Sequence, residues 1–70
     1  MGEKITKREE QILDLLGGGL SNRDIASGLG IQEQTVKNAL AVLYQKFHVR
    51  NRTQLALIAV RGRRPGTRSA

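Results

Sequence analysis

The sequence predicts an all-α domain of four short helices, and three observations predict it. Side chains suited to cap helix starts recur at Thr6, Ser21 and Asn51, and glycines suited to stop helices recur at 17–19 and at Gly30. Between these signals the apolar residues return every three or four positions instead of alternating. Seventy residues make one domain at most. A chain of that size buries only roughly 60% of the surface exposed when unfolded, so its stability is modest or shared with a partner.

Thr6-Lys7-Arg8-Glu9 has the capping-box spacing, in which the Thr hydroxyl and the Glu carboxylate satisfy backbone donors at a helix start. The first helix therefore begins there, carries Ile12, Leu13, Leu15 and Leu16 as a broad apolar stripe, and ends at Gly17-Gly18-Gly19, where left-handed backbone is favoured. Ser21-Asn22-Arg23-Asp24 repeats the start signal, with Leu20 placed to staple onto Ile25. This second helix is short, points Ile25, Ala26 and Leu29 inward and stops by Gly30, with Gly28 weakening its last turn. A third helix begins near Glu33, after Gln32, with Ile31 placed to staple onto Val36. Its buried face is Val36, Ala39, Leu40, Leu43 and Phe47, and its opposite face is Gln34, Lys37, Asn38, Ala41 and Gln45. Asn51 caps a fourth helix with Gln54 three positions on. Its run from Leu55 to Val60 is apolar nearly all round, more than one buried face needs. Residues 1–62 form the domain, and 63–70 offer nothing to bury and read as a basic, disordered tail.

The net charge of +6 is unevenly placed. All six acids (Glu3, Glu9, Glu10, Asp14, Asp24, Glu33) precede residue 34, whereas Lys37, Lys46, Arg50, Arg52, Arg61, Arg63, Arg64 and Arg68 follow with no negative charge among them. Such a one-signed field attracts a polyanion, although a basic solvated surface has the same composition. Tyr44 and Phe47 are the only aromatics, too few for a platform that stacks unpaired bases, so duplex DNA is favoured over single strands. With no Cys there is neither a disulfide framework nor a Cys-ligated zinc site. No apolar run approaches a membrane span, and the Met-Gly-Glu-Lys start lacks the apolar block of a signal peptide; a cytoplasmic, non-membrane protein is expected. The lone His48 has no Cys or carboxylate pair nearby and reads as loop surface. Glu9 and Glu10 are capping and surface charges. An enzyme has no nucleophile, base or metal site to build on, and no cofactor is expected.

Ala26, Gly30 four positions on and Val36 six beyond form the central unit. A small residue at Ala26 lets the second and third helices approach, Gly30 supplies a left-handed turn, and Val36 locks the third helix across the second. Two helices crossing in this way form a helix-turn-helix, which holds the third helix forward so that its first turns reach base edges. An all-helical miniature whose Ala and Gly merely ease packing has the same spacing, and it is the charge, the caps and the fourth helix together that favour DNA.

Ile5-Thr6-Lys7-Arg8-Glu9, Gly19-Leu20-Ser21-Asn22-Arg23-Asp24-Ile25-Ala26, Thr35-Val36-Lys37 and Val49-Arg50-Asn51-Arg52-Thr53-Gln54-Leu55 resemble, in order, the motifs of the LuxR/GerE-type helix-turn-helix domain. The resemblance covers roughly residues 5 to 61. It implies a tetrahelical DNA-binding domain of bacterial transcription regulators, standing alone or as the effector domain of a response regulator, with RNA polymerase as a further partner. It also implies a homodimer through the fourth helix, here through Leu55, Leu57, Ile58, Val60 and Arg61. Carried over residue by residue, it makes Lys37, Asn38 and Ala41 base-facing and Thr35 phosphate-facing. Two residues depart from the pattern: Gln32 stands where Ser is usual, so the third helix is expected to start loosely or a residue late, and Ala39 stands where His is common.

Arg23, Lys46, Arg50 and Arg52 suit backbone phosphates by charge and place, and Tyr44 either bonds a phosphate or packs. Lys37 reaches either a guanine edge or a phosphate, and Asn38 either pairs with adenine or faces solvent. Arg61 to Arg64 either extend into a minor groove or remain solvated. The expected function is sequence-specific duplex binding as a homodimer with half-sites about 10 bp apart. Two other classes compete: a helical adaptor that binds protein through the fourth helix, and a membrane-active basic peptide, disfavoured because the caps specify four separate helices.

Overall fold

A computed structural model describes residues 4–62. The expected tail, residues 63–70, lies outside the described residues. Four α-helices follow in order: α1 Lys7–Gly17, α2 Asn22–Leu29, α3 Glu33–Phe47 and α4 Arg52–Leu57, the last running into a π-helical segment, Ile58–Gly62. All three side-chain caps expected from the sequence are in place. Thr6 Oγ1 accepts from the Glu9 N–H at 3.1 Å, while Glu9 Oε1 accepts from the Thr6 N–H at 3.0 Å. Ser21 Oγ accepts from Asp24 at 3.1 Å and Asn51 Oδ1 from Gln54 at 2.9 Å. The return bond of the last cap lands one residue early, with Gln54 Oε1 accepting from the Arg50 N–H at 2.8 Å.

The first three helices end in one way. In each, a left-handed residue turns the chain, its N–H and the next one bond back to carbonyls of the last turn, and the residue after it is apolar. Gly19 (φ 91°) precedes Leu20, whose N–H reaches the Leu15 carbonyl; Gly30 (φ 70°) precedes Ile31, which reaches Ala26; His48 (φ 57°) precedes Val49, which reaches Tyr44. This is the Schellman arrangement, and Leu20, Ile31 and Val49 pack their side chains against the core. His48, exposed as expected, thus fills a position where the other two helices use glycine. A Cβ in left-handed backbone costs about 1–2 kcal/mol, partly offset by the greater chain entropy glycine loses on folding. His48→Gly is therefore expected to stabilise the domain by about 0.5–1 kcal/mol and raise its melting temperature by a few degrees, and His48→Val to lower it, both read by thermal unfolding.

The core is one cluster: Ile12, Leu13 and Leu16 from α1, Ile25 and Ala26 from α2, Val36, Leu40 and Leu43 from α3, Leu55 from α4 and Ala59 beyond it. Every helix contributes, so none is an independent unit. Gly17 does more than end α1. A Cβ there would lie 3.1 Å from the Ala59 Cβ, so its bare backbone lets the last turn of α1 sit against the π segment. Nothing in residues 58–62 announces that widening of the helix, which the sequence pattern reads as a plain continuation of α4.

Candidate nucleic-acid interface

With about 100° between successive residues, Gln34, Asn38, Ala41 and Gln45 fall on one line of α3, opposite Val36, Leu40 and Leu43. All four are exposed, and Lys37 and Thr35 flank them, also exposed. The opposed residues Val36, Leu40 and Leu43 are 0%, 3% and 0% exposed, so the rotation of α3 about its axis is set by the core and the outward stripe follows from it. Along the stripe, Gln34 Nε2 donates to Asn38 Oδ1 at 3.0 Å, one turn away. Ala39 is half-buried against the core, on the side of α3 away from this stripe.

The weak Gln32 cap does not delay the helix. Gln32 makes no side-chain cap bond, yet its backbone is extended (φ −83°, ψ 151°) and its carbonyl accepts from Thr35 at 3.0 Å and Val36 at 3.2 Å, so α3 starts at Glu33. What changes is the chemistry of the start: no side chain covers the first-turn N–H groups.

The expected phosphate contacts divide in two. Arg23, on the first turn of α2, and Arg50, in the loop after α3, are exposed like Thr35. Lys46 and Arg52 are instead engaged inside the fold. Lys46 Nζ sits 2.8 Å from Glu9 Oε1 and 2.9 Å from the Lys4 carbonyl, joining the end of α3 to the chain leading into α1. Burial by itself would raise the Glu9 pKa. The Lys46 hydrogen bond, the Thr6 N–H, the Lys46 charge and the Thr6 side chain together outweigh it and hold the carboxyl below its ordinary value. Arg52 donates to Asn22 Oδ1 at 2.6 Å and to the Leu20 carbonyl at 2.7 Å, joining the first turn of α4 to the entry of α2. Tyr44 is half-buried and packs against the core. Sequence reasoning missed both internal ties, because their partners lie 30 to 42 residues away and only the fold brings them together.

The expected dimer surface also divides. Leu55 is fully buried and belongs to the core, where it cannot touch a second chain; the apolar run that suggested a surface is in part the domain's own interior. Leu57 and Val60 are 48% and 55% exposed, Ile58 is half-buried and Arg61 is exposed. Leu57 and Val60 line a groove of about 300 Å³ together with Leu16, Leu20 and Ala56, and Gly19, Arg52 and Thr53 complete its lining.

Four helices, a left-handed glycine between α2 and α3 and a solvent-facing stripe on α3 are thus in place, and residues 3–59 match the family described as bacterial regulatory proteins, luxR family. The chain belongs to the LuxR family. All four motifs that carry the resemblance lie within the matched span. The LuxR-family domain is 47% identical over 57 residues to the transcriptional regulatory protein LnrK of Bacillus subtilis, a match covering 81% of this chain and 26% of that protein. It is 40% identical over 57 residues to the transcriptional regulatory protein DegU of Brevibacillus brevis, covering 81% and 24%. To the CsgBAC operon transcriptional regulatory protein of Escherichia coli it is 50% identical over 50 residues, covering 71% and 23%. The chain thus spans about a quarter of the length of these relatives. The family is one of DNA-binding transcription regulators, not a class of enzymes, and no helix among the described residues is long and apolar enough to cross a membrane.

Proposed function

We propose that this domain binds duplex DNA sequence-specifically, with α3 lying in the major groove, as the DNA-reading part of a cytoplasmic bacterial transcription regulator. The observation that carries the reading is the stripe on α3: polar or small side chains, all exposed, on a helix whose opposite face is locked in the core. A helix so presented offers amides and an ammonium group to base edges, with Ala41 short enough to let the helix approach. In this reading Lys37, Asn38 and Ala41 face bases. Arg23, Thr35 and Arg50 position the domain on phosphates, and the uncapped first turn of α3 points its N–H groups toward the same backbone. Lys46 and Arg52 support the interface from inside the fold rather than neutralising phosphates.

A homodimer through Leu57, Ile58, Val60 and Arg61 would place two α3 helices on half-sites about 10 bp apart. The exposed Leu57 and Val60, which line that groove, support it. The relatives named above are transcriptional regulatory proteins several times longer, of which this chain matches one part, and RNA polymerase is a further partner in this reading.

A salt titration of duplex affinity tests the proposal. Arg23 and Arg50 from the two copies of a dimer neutralise four phosphates, which makes the association constant fall on the order of 10²-fold between 50 and 200 mM salt. Absence of duplex binding at low salt would contradict the proposal and favour a protein-binding adaptor built on Leu57 and Val60. Sizing the complex on one half-site and on two reads the stoichiometry.

A further inference from the structure

Gln34 stands outside every contact assigned so far, yet among the described residues it is the one whose side chain bonds a proposed base-reading group. Its Nε2 donates to Asn38 Oδ1 at 3.0 Å, and both side chains are exposed on the same line of α3. An isolated, solvent-facing Asn rotates freely about its terminal torsion and presents oxygen or nitrogen outward with little preference. Recognition of adenine by an amide needs one arrangement only, with the nitrogen donating to N7 and the oxygen accepting from the exocyclic N6 amine in a single plane.

We propose that Gln34 is a positioning residue for Asn38, whose terminal torsion it restrains for adenine reading; this rests on the reading of α3 as the recognition helix. The bond from Gln34 uses one of the two lone pairs on Asn38 Oδ1. The other lone pair and both Nδ2 protons remain for the base. Turned by 180°, the Asn38 amide would donate to Gln34 Oε1 instead, so Gln34 restrains the plane of the Asn38 amide in either sense and leaves the choice of face to the base. Spacing favours the pair: residues four apart on a helix are neighbours, and amide–amide bonds at that separation form without distorting the backbone. Ala41, next along the stripe, has no polar group to compete for Asn38. Gln34 thus contributes to specificity without needing to touch a base, by removing the rotational freedom that Asn38 would otherwise lose on binding.

The test is a mutant cycle of the unaltered chain, Gln34→Met, Asn38→Ala and the double variant. Gln34→Met keeps length and helix propensity and removes the donor. The preferred duplex is first selected from a randomised pool, and the base pair at which Asn38→Ala loses preference is identified. The expected result is that Gln34→Met weakens the adenine preference at that same base pair by roughly twofold, the fold-change equivalent to one amide pair four residues apart on a helix. The double variant is then no worse than Asn38→Ala alone. Undiminished adenine preference in Gln34→Met, or losses in the double variant that multiply, overturns the positioning role while leaving duplex binding by α3 intact. If the unaltered chain binds no duplex, both the reading and the positioning role fail, and circular dichroism of the four proteins distinguishes this from loss of fold.

Discussion

Glu9→Ala is expected to lower the free energy of unfolding by about 2–3 kcal/mol, a large share of the stability of so small a domain. The side chain closes the capping box at the start of α1 and pairs with Lys46 at the end of α3. Loss of the cap alone costs about 0.5–2 kcal/mol. Loss of one member of a buried ion pair costs more, because the other charge is left without its partner; here the pair is only mostly buried, at 12% and 19% side-chain exposure, and Lys46 keeps the Lys4 carbonyl, which moderates the figure. At roughly 4–8 °C per kcal/mol for a domain of this size, the melting temperature falls by about 10–20 °C.

The same carboxyl sets an acid limb. Its pKa in the folded state lies below its ordinary value, so between the two the unfolded chain binds more protons and stability rises with pH. That contribution is complete above the ordinary carboxylate value and is lost as pH falls through the lowered one. Glu9→Gln, which keeps an acceptor for the Thr6 N–H but no charge, is expected to lose this component: its unfolding midpoint in urea depends less on pH across the acid range than that of the unaltered chain. An unchanged pH profile would show that the Glu9–Lys46 pair contributes nothing to folding.

Arg52→Ala is expected to cost about 2 kcal/mol and to loosen α4 from the turn ahead of α2. The guanidinium spans Asn22 Oδ1 and the Leu20 carbonyl with two separate nitrogens, and hydrogen bonds from a charged donor contribute about 1.5–3 kcal/mol where solvent is limited. Arg52→Lys restores little of this, since a single ammonium group cannot reproduce the planar fork. The salt dependence of duplex binding separates an internal tie from a phosphate contact. A tie lowers the urea midpoint and leaves the slope of affinity against salt unchanged, whereas a phosphate contact flattens that slope by about one unit.

Most of the fold was legible because the signals that specify it are local. A cap at Thr6, Ser21 or Asn51 acts on residues three positions away, and glycines at 19 and 30 mark left-handed turns within their own helix ends. The same reasoning explains what was not legible. His48 has no compositional mark of a left-handed cap, the π segment follows an unbroken apolar run, and Leu55 differs from Leu57 only in which side of α4 meets α1. Lys46 and Arg52 look like surface cations in sequence because their partners, Glu9, Asn22 and the Leu20 carbonyl, are distant along the chain. On the candidate interface, periodicity alone placed Gln34, Lys37, Asn38 and Ala41 on the outer face of α3, since the core-facing residues of one helix determine its opposite face. The bond between Gln34 and Asn38 required coordinates.

The central claim is that the outward stripe of α3 reads DNA, and the affinity of Lys37→Ala for duplex tests it most directly. Lys37 is exposed, and no hydrogen bond or ion pair among the described residues involves its side chain, so the variant is expected to unfold like the unaltered chain. Its affinity for the selected duplex is expected to fall by about 5- to 150-fold if the ammonium group reaches a base edge, with a smaller loss on random duplex. Equal affinity of Lys37→Ala and the unaltered chain for the selected duplex would contradict the assignment of α3 as the reading helix.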